Sequence, residues 1–215
     1  FVIEGLGAAF LAWRFWALDM PVGQAVWIGL FHAVSAFCNA GFSLFGDSLS
    51  GFRADGWINL IHAILIIAGG LGFVAVTALC ARRTWAQGMG AGWRRLSLQI
   101  RLVVVVSLSL IVGGTILTFF LEYSHSLKDL PVGEKLLASF FQSVSFRTAG
   151  FSTIEMSDIS RSMLIAACVL MFVGASPGST GGGVKTTTVS VLFMSIRASL
   201  LGRSDVEIGK HTVNR

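Results

Sequence analysis

Two short stretches carry residue types suited to holding a bare cation. Asn39-Ala40-Gly41-Phe42-Ser43 and Thr148-Ala149-Gly150-Phe151-Ser152 differ only at their first position. The ligands such a stretch offers are backbone carbonyl oxygens, and glycine at 41 and 150 opens backbone angles closed to other residues. A ring of backbone carbonyls replaces the hydration shell of potassium in four T-V-G-Y-G loops. Thr148-Ala149-Gly150-Phe151 aligns with the T-V-G-Y part of that pattern, and Asn39-Ala40-Gly41-Phe42 is the same with Asn for Thr.

A third stretch, Ser176-Pro177-Gly178-Ser179-Thr180-Gly181-Gly182-Gly183, has one proline and four glycines inside an apolar run. Gly178 to Gly183 spell the G-x-x-x-x-G of a nucleotide-binding loop. Val184, however, stands where lysine must follow directly, and an apolar helix rather than a strand precedes it. Lys185 reads instead as a cytoplasmic-mouth residue that snorkels or touches the loop. No His/Asp/Ser or Cys/His grouping stands at catalytic spacing, so no enzyme is expected.

The elements that must position these stretches are set by apolar runs. Hydrophobic residues make up 54% of the 215-residue chain and charged ones 13%, about half the usual charged share of a soluble domain. Mean hydropathy is +0.76. Residues 57–80 and 102–121 hold no charge, and roughly 20 apolar residues of helix span a bilayer core. Residues 162–196 hold only Lys185 across 35 positions. A straight helix of that length would measure about 52 Å, so the Ser176–Gly183 stretch breaks it into two pieces at membrane depth. Backbone of that kind survives only inside protein or against a water-filled cavity. Residues 31–45 and 136–146 are apolar but too short to span, and read as re-entrant segments. Phe1–Phe15, interrupted by Glu4 and Arg14, reads as the end of a helix whose beginning lies upstream.

Charge placement sets orientation. Residues 81–101 carry Arg82, Arg83, Arg94, Arg95 and Arg101 and no acid; 122–135 carry three acids and two bases; from Arg197 onward there are four bases and two acids. Basic loops stay in the cytoplasm, so 81–101 and the tail are expected inside and 122–135 outside. Trp85 and Trp93 read as interfacial anchors, and no nucleic-acid partner is expected. Cys38, Cys80 and Cys168 form neither a disulfide framework nor a metal site and are expected as small buried hydrophobes.

Aligning Gly41 with Gly150 matches FHAVSAFCNAGFS (31–43) to FFQSVSFRTAGFS (140–152), identical at six of thirteen positions without a gap. Each copy follows an outward-going helix and precedes an inward-going one. Each half-helix points the negative end of its dipole, about half a charge, at the place where the chain turns back. The fold class expected is an all-α polytopic membrane protein with tandem outer-helix, pore-helix, filter-loop and inner-helix repeats. Residues 1–80 form one repeat, with pore loop 31–45 and inner helix 57–80. Residues 81–101 form a basic linker. The second repeat covers 102–201, with outer helix 102–121, pore loop 136–152 and a broken inner helix 161–201 whose intramembrane loop is 176–185. Residues 202–215 form the tail. His62 and Asn59 are expected as interhelical hydrogen-bond partners, His32 as a residue orienting the first pore helix, and Arg147 as a structural support of the second filter strand, pairing with Glu155 or Asp158 near the outer mouth.

The stretches FHAVSAFCNAGFS, SFRTAGFST, IIAGGLGF (66–73) and MFVGASPGSTGGGVKTTT (171–188) resemble the Trk/Ktr/HKT potassium transporters, especially the bacterial Ktr-type and TrkH-like membrane subunits. The resemblance covers essentially the whole chain and implies repeats two and three of four around one pore. It further implies that Gly41 and Gly150 are filter glycines, and that carbonyls of Asn39, Ala40, Thr148 and Ala149 face potassium. Phe42 and Phe151 complete the filter strands, and Ser176 to Gly183 with Lys185 form an intramembrane gate below it. Potassium is then the transported ion, with sodium a candidate coupled or activating ion and no covalent cofactor. The partners implied are the bilayer of the cell membrane, a cytosolic nucleotide-binding regulatory subunit and, at full length, a second copy in a homodimer. The rival reading is a non-conducting membrane subunit of an ion-pumping complex; a P-loop or a charged proton relay would favour it, and neither is in the sequence.

Overall fold

The computed structural model describes residues 1–86 and 88–201, together with the backbone of two three-residue strands further on. Among these residues helices dominate residues 1–201. The helices are α1 (Val2–Trp16), α2 (Val22–Phe37), α3 (Gly56–Leu71), α4 (Phe73–Cys80), α5 (Arg82–Trp85), α6 (Met89–Arg95), α7 (Leu98–Glu122), α8 (Val132–Ser145), α9 (Arg161–Phe172) and α10 (Thr186–Leu200). Strands β1 (Val206–Ile208) and β2 (His211–Val213) pair antiparallel in the tail.

Helix α7, 25 residues long, measures about 37 Å at 1.5 Å per residue and is the one described helix long and apolar enough to cross a bilayer unaided. Its outward face is apolar, and its buried face mixes Ile100, Val103 and Ile111 with small and polar residues. Val105, Leu108, Val112, Ile116 and Phe120 are exposed, whereas Ser107, Gly114, Thr118 and Glu122 are buried. Apolar residues outward and small or polar ones inward is the arrangement lipid favours, because hydrocarbon provides no drive to bury leucine. Gly114 makes the α7–α8 contact tight: a Cβ there would lie 2.4 Å from Ser143 Oγ, and that hydroxyl donates to the Ile111 carbonyl at 2.8 Å. Gly29 does the same where α2 crosses α1, with Ala12 N only 2.6 Å from the place of its absent Cβ. The three cysteines, expected as buried, are free and exposed. An outward thiol is compatible with a surface that faces lipid.

The segments expected to be re-entrant form helices longer than the sequence suggested. Helix α2 begins at Val22 rather than near Phe31, and α8 at Val132 rather than Leu136. Both follow a proline in extended conformation at the N-cap, Pro21 and Pro131. Proline is well suited to a helix start, where its missing N–H has no partner to lose. At 16 and 14 residues they measure about 24 and 21 Å, too short to cross a core of about 30 Å.

The inner helix expected over 57–80 is not one helix. It breaks at Gly72 and α4 leaves α3 at 112°. Gly72 stands at φ +86, a conformation glycine enters at no steric cost. The freed ends are satisfied from a distant segment: the Gly69 and Gly70 carbonyls accept from Thr180 N (3.2 Å) and Ser176 N (3.0 Å), and Phe73 N donates to the Gly178 carbonyl at 3.2 Å. The glycine-rich stretch thus fills the break.

Candidate functional site

Each half-helix ends in a turn of the same handedness pattern. In the first, Asn39 has φ +52 and Gly41 φ +71; in the second, Thr148 has φ +72 and Gly150 φ +85; Ala40 and Ala149 between them do not share the positive φ. Helix α2 closes with Ala40 N donating to the Ser35 carbonyl at 2.9 Å and Asn39 N to the Ala36 carbonyl at 3.1 Å, the paired bonds of a left-handed C-cap that tolerates asparagine. Thr148 is different, because a β-branched residue at positive φ is an outlier. Strain of this kind costs roughly 1–3 kcal/mol and persists only where the surroundings enforce it. Here the Thr148 hydroxyl accepts from Gly182 N at 3.0 Å.

A second pair of matched bonds fixes where each turn goes next. Ser35 Oγ donates to the Phe42 carbonyl at 2.8 Å, and Ser145 Oγ donates to the Phe151 carbonyl. Ser35 and Ser145, like Pro21 and Pro131, are related by a shift one residue greater than Gly41 and Gly150. The ungapped alignment therefore misregisters the half-helices. The second copy reaches its glycine one residue sooner, and the signal was present in the two Pro-Val-Gly starts.

The two turns lie directly against each other. A Cβ on Gly41 would be 2.7 Å from the Ala149 carbonyl oxygen and 2.8 Å from Gly150 Cα, and one on Gly150 would be 3.1 Å from Gly41 Cα. Backbone angle favours glycine at both positions, and space excludes a side chain at Gly41 and leaves little room for one at Gly150. The turns differ in their outer packing: Phe42 is exposed, whereas Phe151 is buried against His32 and His62. These histidines form a directed chain. His32 Nδ1 lies 3.2 Å from His62 Nε2, Leu44 N donates to His32 Nε2 at 3.2 Å, and His62 Nδ1 lies 2.8 Å from the Ile58 carbonyl. The set is consistent with two neutral rings, each donating from Nδ1, and it ties the first turn to α3. Asp55 caps the entrance of α3, and the Asn59 amide instead ties that entrance to the preceding turn, its Nδ2 within hydrogen-bond distance of the carbonyls of Phe52 (2.9 Å), Arg53 (3.1 Å) and Asp55 (2.7 Å).

Helices α9 and α10 are separated by residues 173–185. The ends of this break pair as a parallel bridge, Val173 with Val184, and Ala175 N donates to the Gly182 carbonyl at 2.9 Å. Gly174 permits it, since a Cβ there would lie 1.9 Å from the Gly182 oxygen. Asn39 Nδ2 donates to Thr180 Oγ1 and that hydroxyl donates to the Phe37 carbonyl, each at 2.8 Å. Buried Ser176 accepts from the Thr186 hydroxyl at 3.1 Å, Ser179 donates back to the Ser176 carbonyl at 2.5 Å, and the Pro177 carbonyl crowds Gly72. Lys185 Nζ folds back to the Gly181 carbonyl at 2.9 Å. Thr180, Gly181 and Gly182 thus meet the two turns, whereas Ser176, Pro177 and Gly178 meet the α3 break. The expected partners of Arg147 are not met: neither Glu155 nor Asp158 pairs with it, and its guanidinium donates to Ser107 Oγ at 3.1 Å, on α7. The side chain turns toward the helices behind the turn, away from those exposed acids.

The family model for TrkH, a cation transport protein, matches residues 16–215. The Ktr system potassium uptake protein B of Vibrio alginolyticus is 36% identical over 99% of this chain and 46% of its own length. The potassium/sodium uptake protein NtpJ of Enterococcus hirae is 34% identical over 100% of this chain and 46% of its own length. The chain thus spans about half the length of these relatives. The crystal structure of the potassium transporter TrkH from Vibrio parahaemolyticus superposes with a TM-score of 0.71 over 96% of this chain and 43% of that one, at 22% identity.

Proposed function

We propose that this chain, which belongs to the TrkH family of cation transport proteins, supplies two filter-lining repeats of a potassium-conducting pore. The observation that carries the reading is the repeated alternation of backbone handedness at Asn39/Gly41 and Thr148/Gly150, each at the C-terminal end of a half-helix. In a uniform strand successive carbonyls point to opposite sides. Reversing φ at alternate residues brings those of Asn39, Ala40, Thr148 and Ala149 to one side, where they replace potassium's hydration shell. The half-helix dipoles add negative potential at the same place. Two touching strands do not encircle an ion, so the ring needs strands from outside this chain. Relatives named for potassium uptake and for potassium/sodium uptake favour potassium as cargo, with sodium as a coupled or activating ion.

Ser176 to Lys185 is the gate in this reading, held under the filter by its bonds to Asn39, Thr148 and the α3 break. The arginine-rich residues 81–101 and the tail face the cytoplasm, where a nucleotide-binding regulatory subunit and the homodimer partner would act on the gate. The test is potassium-uptake rescue of a transport-deficient bacterium by the full-length gene. Rescue by the wild type together with loss of potassium over sodium preference in Gly150→Ser is expected. Selective rescue by Gly150→Ser equal to the wild type overturns the filter assignment.

A further inference from the structure

Two buried polar atoms near the turns lack a hydrogen-bond partner and have opposite character. Arg147 Nε is a donor and Asn39 Oδ1 an acceptor. Both residues line one cavity of about 10 Å³, walled otherwise by Ile66, Ile67, Gly70, Val144 and Ala175. That is about the space one water molecule needs, and a buried water needs at least two polar partners. Each side chain also bonds elsewhere. Asn39 Nδ2 reaches Thr180 Oγ1 at 2.8 Å, and an Arg147 terminal nitrogen reaches Ser107 Oγ at 3.1 Å. Among the described residues no carboxylate pairs with Arg147.

We infer that Asn39 and Arg147 hold one water molecule in this cavity, accepting from Arg147 Nε and donating to Asn39 Oδ1. Two residues lining one water-sized space, one with an orphaned donor and the other with an orphaned acceptor, are what such a molecule joins, and buried polar groups rarely stay unpaired. The position gives the water a role. Arg147 directly precedes the second turn and Asn39 begins the first; Gly70 belongs to the α3 break and Ala175 to the loop. The water joins the two turns from behind, at the point where break and loop meet them. Resting on the reading of those turns as filter strands, Arg147 becomes a positioning residue: it sets the first strand through the water instead of touching the ion.

The test uses the full-length protein. A structure at a resolution that shows ordered solvent should contain one water between these two atoms. A dry cavity, or a side chain closing it, overturns the proposal whatever the flux data show. Potassium over sodium selectivity is then measured for Asn39→Thr, Arg147→Met and the pair, with Arg147→Lys as the charge-keeping variant that also lacks the Nε donor. If each single change lowers selectivity about tenfold, the pair should fall about tenfold and not the roughly hundredfold of independent sites. Arg147→Lys should resemble Arg147→Met. Additive losses, or full rescue by lysine, refute the shared water. An observed water with unaltered selectivity in every variant would refute the positioning role of Arg147, whereas the filter reading stands or falls separately with Gly150→Ser.

Discussion

Asn39 and Thr180 meet across 141 positions of sequence, the asparagine amide donating to the threonine hydroxyl at 2.8 Å. Thr180 hands the interaction on, donating to the carbonyl of Phe37 at the end of α2. One hydroxyl therefore links the glycine-rich loop to both the last helical residue and the first left-handed residue of the first turn. Thr148, the matching residue of the second turn, holds the loop through Gly182 N. Loop and turns are bonded as a unit, so the loop is better held than its glycine content suggests.

The loop tethers can be cut singly. Thr180→Val keeps shape and removes one bond given and one received, each of about 0.5–1.5 kcal/mol. If the loop is the gate, potassium flux per transporter should rise several-fold at equal membrane expression, with selectivity largely kept. Flux equal to the wild type in a well-expressed Thr180→Val protein would count against the gate. This substitution is cleaner than shortening the loop at Gly181–Gly183, because Gly182 and Gly183 pack on Gly174 and their loss would undo the bridge between Val173 and Val184.

The two turn glycines should not be equally tolerant. A Cβ on Gly41 would press on a backbone oxygen at 2.7 Å, whereas on Gly150 its nearest neighbour is 3.1 Å away. Positive φ strains both, by about 1–3 kcal/mol for a non-glycine residue. Gly41→Ala should therefore lose more assembled protein and more selectivity than Gly150→Ala, read by membrane yield and by competitive potassium and sodium uptake. Equal or reversed losses would mean the close approach of the turns is not kept in the full-length protein.

Much of this arrangement was legible in the residues. The half-helices, the repeated turns and the break after Phe172 all follow from charge-free run lengths and from glycine and proline placement. The bend at Gly72 did not, although Gly69, Gly70 and Gly72 stand close together. Glycine is common in membrane helices, and what breaks α3 is tertiary: backbone of the loop near Ser176–Thr180 takes the bonds that would have continued the helix. The partner of Arg147 is hidden from the sequence for a related reason. Nearby acids in sequence suggested ion pairs, but its donor reaches Ser107 on α7, 40 residues away. The extra residue in the first turn escaped because the six identities favoured an ungapped match, while the serine and proline correspondences lie one position out of step.

Orientation is open to a direct experiment. In a background without Cys38, Cys80 and Cys168, a cysteine at Gly88 should be labelled by an impermeant thiol reagent only after the cytoplasm is opened. One at Lys128 should be labelled in intact cells. The arginine bias of 81–101 sets the expectation. Labelling of position 88 from outside would invert the topology and with it the direction in which both half-helices enter.

Exchanging the first residue of a turn separates backbone strain from the loop tether. Thr148 holds φ +72 with a β-branched side chain, a conformation asparagine accepts more readily because its short polar side chain bonds locally. Thr148→Asn should relieve strain while keeping an oxygen able to accept from Gly182 N, making the second turn resemble the first. Thermal stability should rise modestly, by about 1 kcal/mol or less, with flux and selectivity near wild type. Thr148→Val keeps the strain and deletes the acceptor, so it should lower stability and loosen the loop, raising flux in the manner of Thr180→Val. If Thr148→Asn instead abolished selectivity while Thr148→Val left it intact, the strained backbone itself would be what the filter requires, and the hydroxyl tether would be incidental.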